Sequence, residues 1–312
     1  MTARSHRAGR ARSVTALAAI PMLICTLRSH GLGADEPARK PLVVCTTTMI
    51  HDLAKQITGD RAEVLGIMKP GEDPHIYEMR PRDVQLISSA DLVLANGLHL
   101  EATLQHAIDN NAKGKTVKLA ETPLIVPLES EAARGAPDPH CWFNVSYFRI
   151  YTERTRDAMV ELDPPNAEHY RIRSAEYIQE LDELHQWVKE QINSVPREQR
   201  VMVTSHDAFQ YFGRTYFIDV FAVIGISTEQ QPKPGDIARL ESLVRERNVK
   251  ALFIETSVSQ TLNSIVKKIA DSTGVKIGGT LYSDSLGEPG TPAGTYLGMV
   301  RHNVRTVVEA LK

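Results

Sequence analysis

Short, almost wholly apolar runs alternate along this chain with longer stretches whose apolar residues recur every three or four positions. In the first half, Leu42–Val43–Val44–Cys45 reads as a buried strand, and helical spacing follows from Met49 to Ile57. Gly59–Asp60 makes a turn into a second strand over Ala62–Met68. A helix over Asp83–Ser88, a strand over Leu92–Ala95 and a helix over Glu101–Asn110 continue the rhythm. The second half repeats it, with strands at Val201–Val203, Phe217–Val223, Leu252–Ile254 and Val275–Ile277. Helices are expected there over Asp236–Asn248, Leu262–Asp271 and from about Thr295 to the end. Apolar strands separated by amphipathic helices predict a parallel sheet flanked by helices, once in each half.

The middle differs. Between Asn166 and Ile192 there is no Gly or Pro, and apolar residues recur at Ile172, Ala175, Ile178, Leu181, Leu184 and Val188. Pro164–Pro165 before it and Pro196 after it suit the ends of a helix. Such a helix would be ~40 Å long at 1.5 Å per residue, more than one small lobe needs. The expected class is therefore α/β: two lobes, each a mostly parallel sheet flanked by helices, joined by one long bridging helix. The divisions expected are a leader over 1–33, a first lobe over 40–164, the bridge over 165–195 and a second lobe over 196–312. No repeat is short enough for a solenoid.

Composition narrows the class further. With 312 residues, 42% of them hydrophobic and 24% charged, the chain is globular and long enough for two cores. A formal net charge of −2 gives no basic excess for nucleic acid. The N-terminus stands apart: Arg4, Arg7, Arg10 and Arg12 precede an apolar run from Val14 to Leu27, with small residues at Gly31 and Gly33. That is the layout of a secretory signal, cleaved after Gly33, and its apolar run is short for a membrane span of ~20 residues. Cys25 offers a lipid anchor instead, but Ile24 stands where a small residue ordinarily precedes an acylated cysteine, so simple cleavage is placed first. The mature protein is expected outside the cytoplasm. There Cys45 and Cys141 can form a disulfide or remain two buried thiols, and both readings stay open.

Against this frame four residues carry the chemistry: His75, His140, His206 and Asp284, two in each half. Each lies in a loop just past a strand-like run or its following turn. Taken singly, each has an ordinary explanation. His75 suits an exposed turn, Ser205 or Asp207 could cap a helix beside His206, and Asp284 could be a turn aspartate. Together, three imidazoles and a carboxylate make a four-coordinate shell for a borderline divalent ion such as Zn²⁺. Loops beyond the carboxyl ends of strands are where open α/β sheets gather ligands. Trp142 could wall such an ion from water, and Glu255, closing a strand, is placed as a supporting or surface carboxylate. His51, His99, His106, His169, His185 and His302 fall on helices or their ends, His185 solvated on the bridge.

The motifs around these residues resemble those of the TroA-like class of zinc/manganese solute-binding proteins of ABC transporters, over nearly the whole mature chain. The resemblance rests on Pro70–Gly71–Glu72–Asp73–Pro74–His75, Ala95–Asn96–Gly97–Leu98, Asp138–Pro139–His140 with Trp142, Ser205–His206–Asp207–Ala208–Phe209 and Asp284–Ser285–Leu286–Gly287. It implies that His75, His140, His206 and Asp284 ligate one metal, and that a monomer delivers it to a membrane permease. Relatives with Glu in place of the third histidine look like manganese carriers, so His206 favours Zn²⁺, as does the Irving–Williams order, with Mn²⁺ second. Against strict zinc specificity, the loop from Glu121 to Pro139 lacks the histidine-rich insertion of zinc-dedicated members. Asn144 and Gln210 also depart from the family pattern, at positions that are not ligands. Release is expected to need a modest shift of the half carrying His206 and Asp284. The alternative is a secreted zinc hydrolase, which would want three protein ligands and an open position, and no His-Glu-x-x-His stretch is present. An adhesin reading comes only from descriptions of some relatives.

Overall fold

The computed structural model describes residues 39–130 and 135–312; the expected leader, with Cys25 and the cleavage point after Gly33, lies outside the described residues. The first lobe runs β1 (Leu42–Cys45), α1 (Thr48–Thr58), β2 (Glu63–Gly66), α2 (Pro81–Ser89), β3 (Leu92–Ala95), α3 (Ala102–Asn111) and β4 (Lys115–Lys118). Its strands pair in parallel in the order β2-β1-β3-β4. A small antiparallel hairpin, β5 (Glu129–Ser130) with β6 (Ala136–Pro137), leads to α4 (Val145–Leu162) and α5 (Ala167–Asn193). The second lobe runs β7 (Val201–Thr204), α6 (Gln210–Tyr216), β8 (Asp219–Ala222), α7 (Pro234–Glu246), β9 (Ala251–Glu255), α8 (Gln260–Thr273), β10 (Lys276–Leu281) and α9 (Tyr296–Leu311). Its order, β10-β9-β7-β8, is also parallel and has the same topology.

In both lobes the chain builds one strand beside the first and then crosses to its other side, so strand order reverses between β1 and β3 and between β7 and β9. The apolar runs account for the central strands: Val43 to Cys45, Leu92 to Ala95 and Val201 to Thr204 are all buried, as covering helices on both faces require. Hydroxyl caps start several helices. Thr47 accepts from Ile50 N–H, Ser259 from Leu262 N–H and Thr295 from Gly298 N–H, which spares those donors an unsatisfied end.

The long helix α5 packs on α4, on α1 from the first lobe and on α9 from the second. Its buried stripe is Tyr170, Ser174, Tyr177, Leu181, Leu184, Val188 and Ile192. The reading from sequence is right for the C-terminal half of that stripe and out of phase before it. Ile172 is 50% exposed, because spacing of three and four from Leu181 leads back to Tyr177, Ser174 and Tyr170 instead. Phe217 likewise does not begin a strand. It closes α6 in a left-handed conformation at φ 61° and is largely exposed. Cys45 and Cys141 are both buried free thiols, and burial pushes both up, Cys141 to about 12.

Candidate metal centre

Each candidate side chain is set by its own local device. The two Asp-Pro-His segments fold alike: Asp73 Oδ1 accepts the His75 N–H at 2.9 Å, and Asp138 Oδ1 accepts the His140 N–H at 2.9 Å. In both, an aspartate tied to the backbone two residues on forms a turn that aims the imidazole. Asp138 Oδ1 also sits 2.7 Å from His140 Nδ1. From β3, Asn96 donates Nδ2–H to the Pro139 carbonyl at 3.0 Å and holds this second turn in place. His206 follows β7 directly. The N–H groups of Ser205 and His206 both donate to Glu255 Oε1, at 2.8 and 2.9 Å, and Glu255 Oε2 lies 2.6 Å from His206 Nδ1. Because Glu255 ends β9, this contact stands at the reversal of strand order, where α/β sheets place ligands. Asp284 follows β10, and its N–H donates to Ser257 Oγ at 3.1 Å.

These four loops converge. One ligating atom from each of His75, His140, His206 and Asp284 lies within 4.8 Å of every other. His75 Nε2 is 3.2 Å from His140 Nε2, His206 Nε2 is 3.2 Å from Asp284 Oδ2, and His140 Nε2 is 3.4 Å from Asp284 Oδ1. Donors about 2.05 Å from a tetrahedral Zn²⁺ stand about 3.3 Å apart, so three of the edges already have the size of such a shell. His206 Nε2 and Asp284 Oδ1 are buried and make no hydrogen bond, a cost that a shared cation removes. His75 is 9% exposed and the other three are buried to 1% or less.

The electrostatics divide the histidines. Burial pushes His75 down to about 3, against the pull of Asp284 and helped by the two other rings. Burial also acts on His140, but Asp138 and Asp284 outweigh it and hold the ring up at about 9. His206 behaves the same way: burial is overcome by Glu255 and Asp284, and the ring is raised well above the ordinary range. Burial would raise Asp284, yet His206 and His140 keep it well below the usual carboxylate range. Without an ion, protons on His140 and His206 balance the carboxylates. An incoming cation takes their place.

Four protein donors complete a tetrahedral shell and leave no position for a reactive water, which is the arrangement for holding an ion rather than for hydrolysis. Residues 43–310 match the family model described as ZnuA, zinc-uptake complex component A, periplasmic. The chain belongs to this family. It is 35% identical over 287 residues to the zinc-binding protein TroA of Treponema pallidum, covering 91% of this chain and 93% of TroA. The solved structure of that protein superposes with a TM-score of 0.83 at 37% identity, over 87% of this chain and 99% of TroA. The manganese-binding lipoprotein MntA of Halalkalibacterium halodurans is 34% identical over 295 residues, 93% of this chain and 96% of MntA. The family is one of solute-binding components of metal ABC transporters, and the protein is not an enzyme; the hydrolase reading finds no support. Relatives are named for zinc and for manganese, so the names leave the metal open. The lipoprotein name of MntA runs against placing a lipid anchor second to simple cleavage.

Several supporting residues went unassigned in the sequence. Asp138 touches the Nδ1 of His140, and Asn96 braces its turn; the repeated Asp-Pro-His was the available signal for the first. Trp142 does more than wall the centre, since its Nε1–H donates to the Ser283 carbonyl at 3.1 Å across the lobes. His185 is solvated only in part: it is half-buried, with Nδ1 2.9 Å from the Tyr216 hydroxyl.

Proposed function

We propose that this protein captures one divalent transition-metal ion outside the cytoplasm, Zn²⁺ ahead of Mn²⁺, and passes it to the membrane permease of an ABC transporter as a monomer. His75 and His140 from the first lobe, with His206 and Asp284 from the second, are the ligands. The observation that carries this reading is the convergence of these four buried donors from two lobes to within 4.8 Å. Three imidazoles and one carboxylate leave a bound divalent ion with about one net positive charge. Nitrogen-rich sites bind Zn²⁺ more tightly than Mn²⁺. The ion is cargo, so the division at 40–164 and 196–312 matters: each lobe supplies two ligands, and separating the lobes opens the shell. MntA's name favours acylation at Cys25 over release after Gly33, and the intact mass of the mature protein distinguishes the two.

Titration of metal-free protein should show one ion per chain, with Zn²⁺ displacing Mn²⁺ in competition. His140→Ala should weaken Zn²⁺ at least 100-fold, because its deletion leaves three ligands and a buried Asp138 without its partner. Unchanged affinity in that variant removes His140 from the shell.

A further inference from the structure

Just past β3 the backbone turns left-handed at successive residues: φ is 85° at Gly97, 53° at Leu98 and 63° at His99. Glycine takes that conformation freely, and a Cβ at position 97 would lie 2.7 Å from Glu121 Oε1. Leucine and histidine adopt it only at a cost, so surrounding contacts must hold the turn. Two carboxylates do this. Glu101, 4% exposed at the start of α3, accepts the Asn96 N–H at 2.7 Å and the Gly97 N–H at 3.2 Å. It also accepts the Thr46 O–H at 2.6 Å, just past β1. Glu121 Oε1 accepts the Leu98 N–H at 3.0 Å.

The turn fixes the Asn96 amide. Tyr151 donates its hydroxyl to Asn96 Oδ1 at 2.6 Å, and Asn96 Nδ2 donates to the Gly97 carbonyl at 3.1 Å and to the Pro139 carbonyl at 3.0 Å. The Pro139 carbonyl also accepts the Cys141 N–H at 2.8 Å, which closes a tight turn centred on His140 at φ −79° and ψ 41°. Whatever holds that carbonyl therefore holds the backbone of His140.

We propose that Glu101 is a positioning residue for the ligand His140: it pins the left-handed turn, which aims the Asn96 amide at the Pro139 carbonyl. Glu101 acts through the backbone and through Asn96, without touching the ring. A carboxylate suits the task because it accepts from two N–H groups and a hydroxyl together, whereas the amide of Gln would turn an NH₂ towards one of those donors. The second lobe has a counterpart in Glu255, whose carboxylate spans the N–H groups of Ser205 and His206 just past β7. Small errors matter here, since a ligand must stay within about 0.2 Å of its bonding distance.

This inference rests on the metal-capture reading, and the test separates the two. Zn²⁺ affinity by chelator competition, and the visible absorption of bound Co²⁺, are compared for wild type, Glu101→Gln and Tyr151→Phe. The second variant removes the hydroxyl that orients the Asn96 amide, and either carries the test if the other fails to fold. Each should bind Zn²⁺ about tenfold more weakly. Its Co²⁺ bands should lose intensity as the shell departs from tetrahedral. In a His140→Ala background the tenfold loss should vanish, because the ligand through which both residues act is gone. A merely structural role would lower the unfolding midpoint and leave the affinity and Co²⁺ bands of the folded protein unchanged. Wild-type affinity and bands in either folded variant, or an undiminished loss in the His140→Ala background, overturn the positioning role while leaving wild-type capture intact. Failure of the wild type to bind Zn²⁺ at all would instead overturn the metal-capture reading.

Discussion

Metal loading should release protons, and the number follows from how the three histidines are buried. Binding needs each ring to offer a lone pair, so a ring that holds a proton in the empty cage must lose it. His75, at about 3, carries none at neutral pH and contributes nothing to the release. His140, at about 9, is protonated throughout the neutral range, and His206 is raised as well. The sign is fixed by these directions: a raised histidine competes with the metal below its folded value, so affinity grows as pH climbs towards about 9 and levels off above it. Each displaced proton makes the apparent association constant rise tenfold per pH unit. From about pH 6 to about pH 8 that is roughly 100-fold for His140 alone and roughly 10,000-fold if His206 discharges over the same interval. At pH 7 the His140 proton by itself lowers apparent affinity by about two decades, or about 3 kcal/mol. Calorimetric titration with Zn²⁺ in buffers of different ionisation enthalpy measures the release directly. A release below about half a proton per ion across that interval would refute the charge balance assigned to Asp138, Glu255 and Asp284.

Glu255→Gln should weaken Zn²⁺ about 10- to 100-fold in chelator competition, because an amide N–H facing His206 Nδ1 forces the ring proton onto the ligating nitrogen. The same variant should release one proton fewer; wild-type values for both would show that Glu255 does not set the tautomer. Trp142→Phe removes the Nε1–H that meets the Ser283 carbonyl and should cost about 1–3 kcal/mol in denaturant unfolding of the metal-free protein. An unmoved midpoint would mean that this bond does not hold the lobes. Gly278→Ala should cost about 1–3 kcal/mol by the same measurement. A Cβ there would lie 2.6 Å from Ala310 Cβ and 2.7 Å from Phe253 Cε1. Wild-type stability would show that β10 can shift to make room.

The parts of the fold that could be read in advance are those whose apolar residues face one environment. Val43–Val44–Cys45 and Leu92–Ala95 are buried on both faces, so an apolar run is an undistorted record of the strand. β4 escaped because it lies at the sheet's edge and reads Lys-Thr-Val-Lys, polar where water reaches it. The helix α4 escaped for the opposite reason: Thr152 and Thr155 are wholly buried and interrupt its apolar stripe, and Thr152 returns its hydroxyl to the Phe148 carbonyl. The same masking by buried polar groups shifted the phase of α5, where Ser174 occupies a core position. In the centre, the loops past strand-like runs pointed to His75, His140, His206 and Asp284, the repeated Asp-Pro-His added weight to the first two, and motif resemblance joined all four. The partnership of Asp138 with His140 Nδ1, and of Glu255 with His206 across 49 residues, is set by the fold, and no local spacing encodes the second.

How the lobes are tied bears on which ligand a release motion withdraws. The segment around Asp284 is bonded repeatedly to the first lobe: Gly71 N–H donates to Ser285 Oγ at 2.7 Å, Leu286 N–H to Thr48 Oγ1 at 2.8 Å, and Trp142 Nε1–H to the Ser283 carbonyl. A few residues on, Tyr296 N–H donates to Asp52 Oδ2 and Tyr296 O–H to the Trp142 carbonyl. His206 is supported differently, by Glu255 and, through Ser205, by Asn263, all within its own lobe. Asp284 is therefore tied to both lobes, to the first by these bonds and to the second by its N–H on Ser257 Oγ and by the pairing of β10 with β9. A shift that carries the whole second half, Asp284 included, must break at least three interlobe bonds at about 1 kcal/mol each. Withdrawing His206 with β7 and β9 spares those three but parts Ser257 from Asp284 and Ser283, and the Tyr211 hydroxyl from the Asp138 carbonyl and the Leu128 N–H. That displacement removes one imidazole, leaves a three-ligand shell, and returns to His206 the proton that Glu255 stabilises, so the ion is loosened and the vacated ring is charge-balanced together.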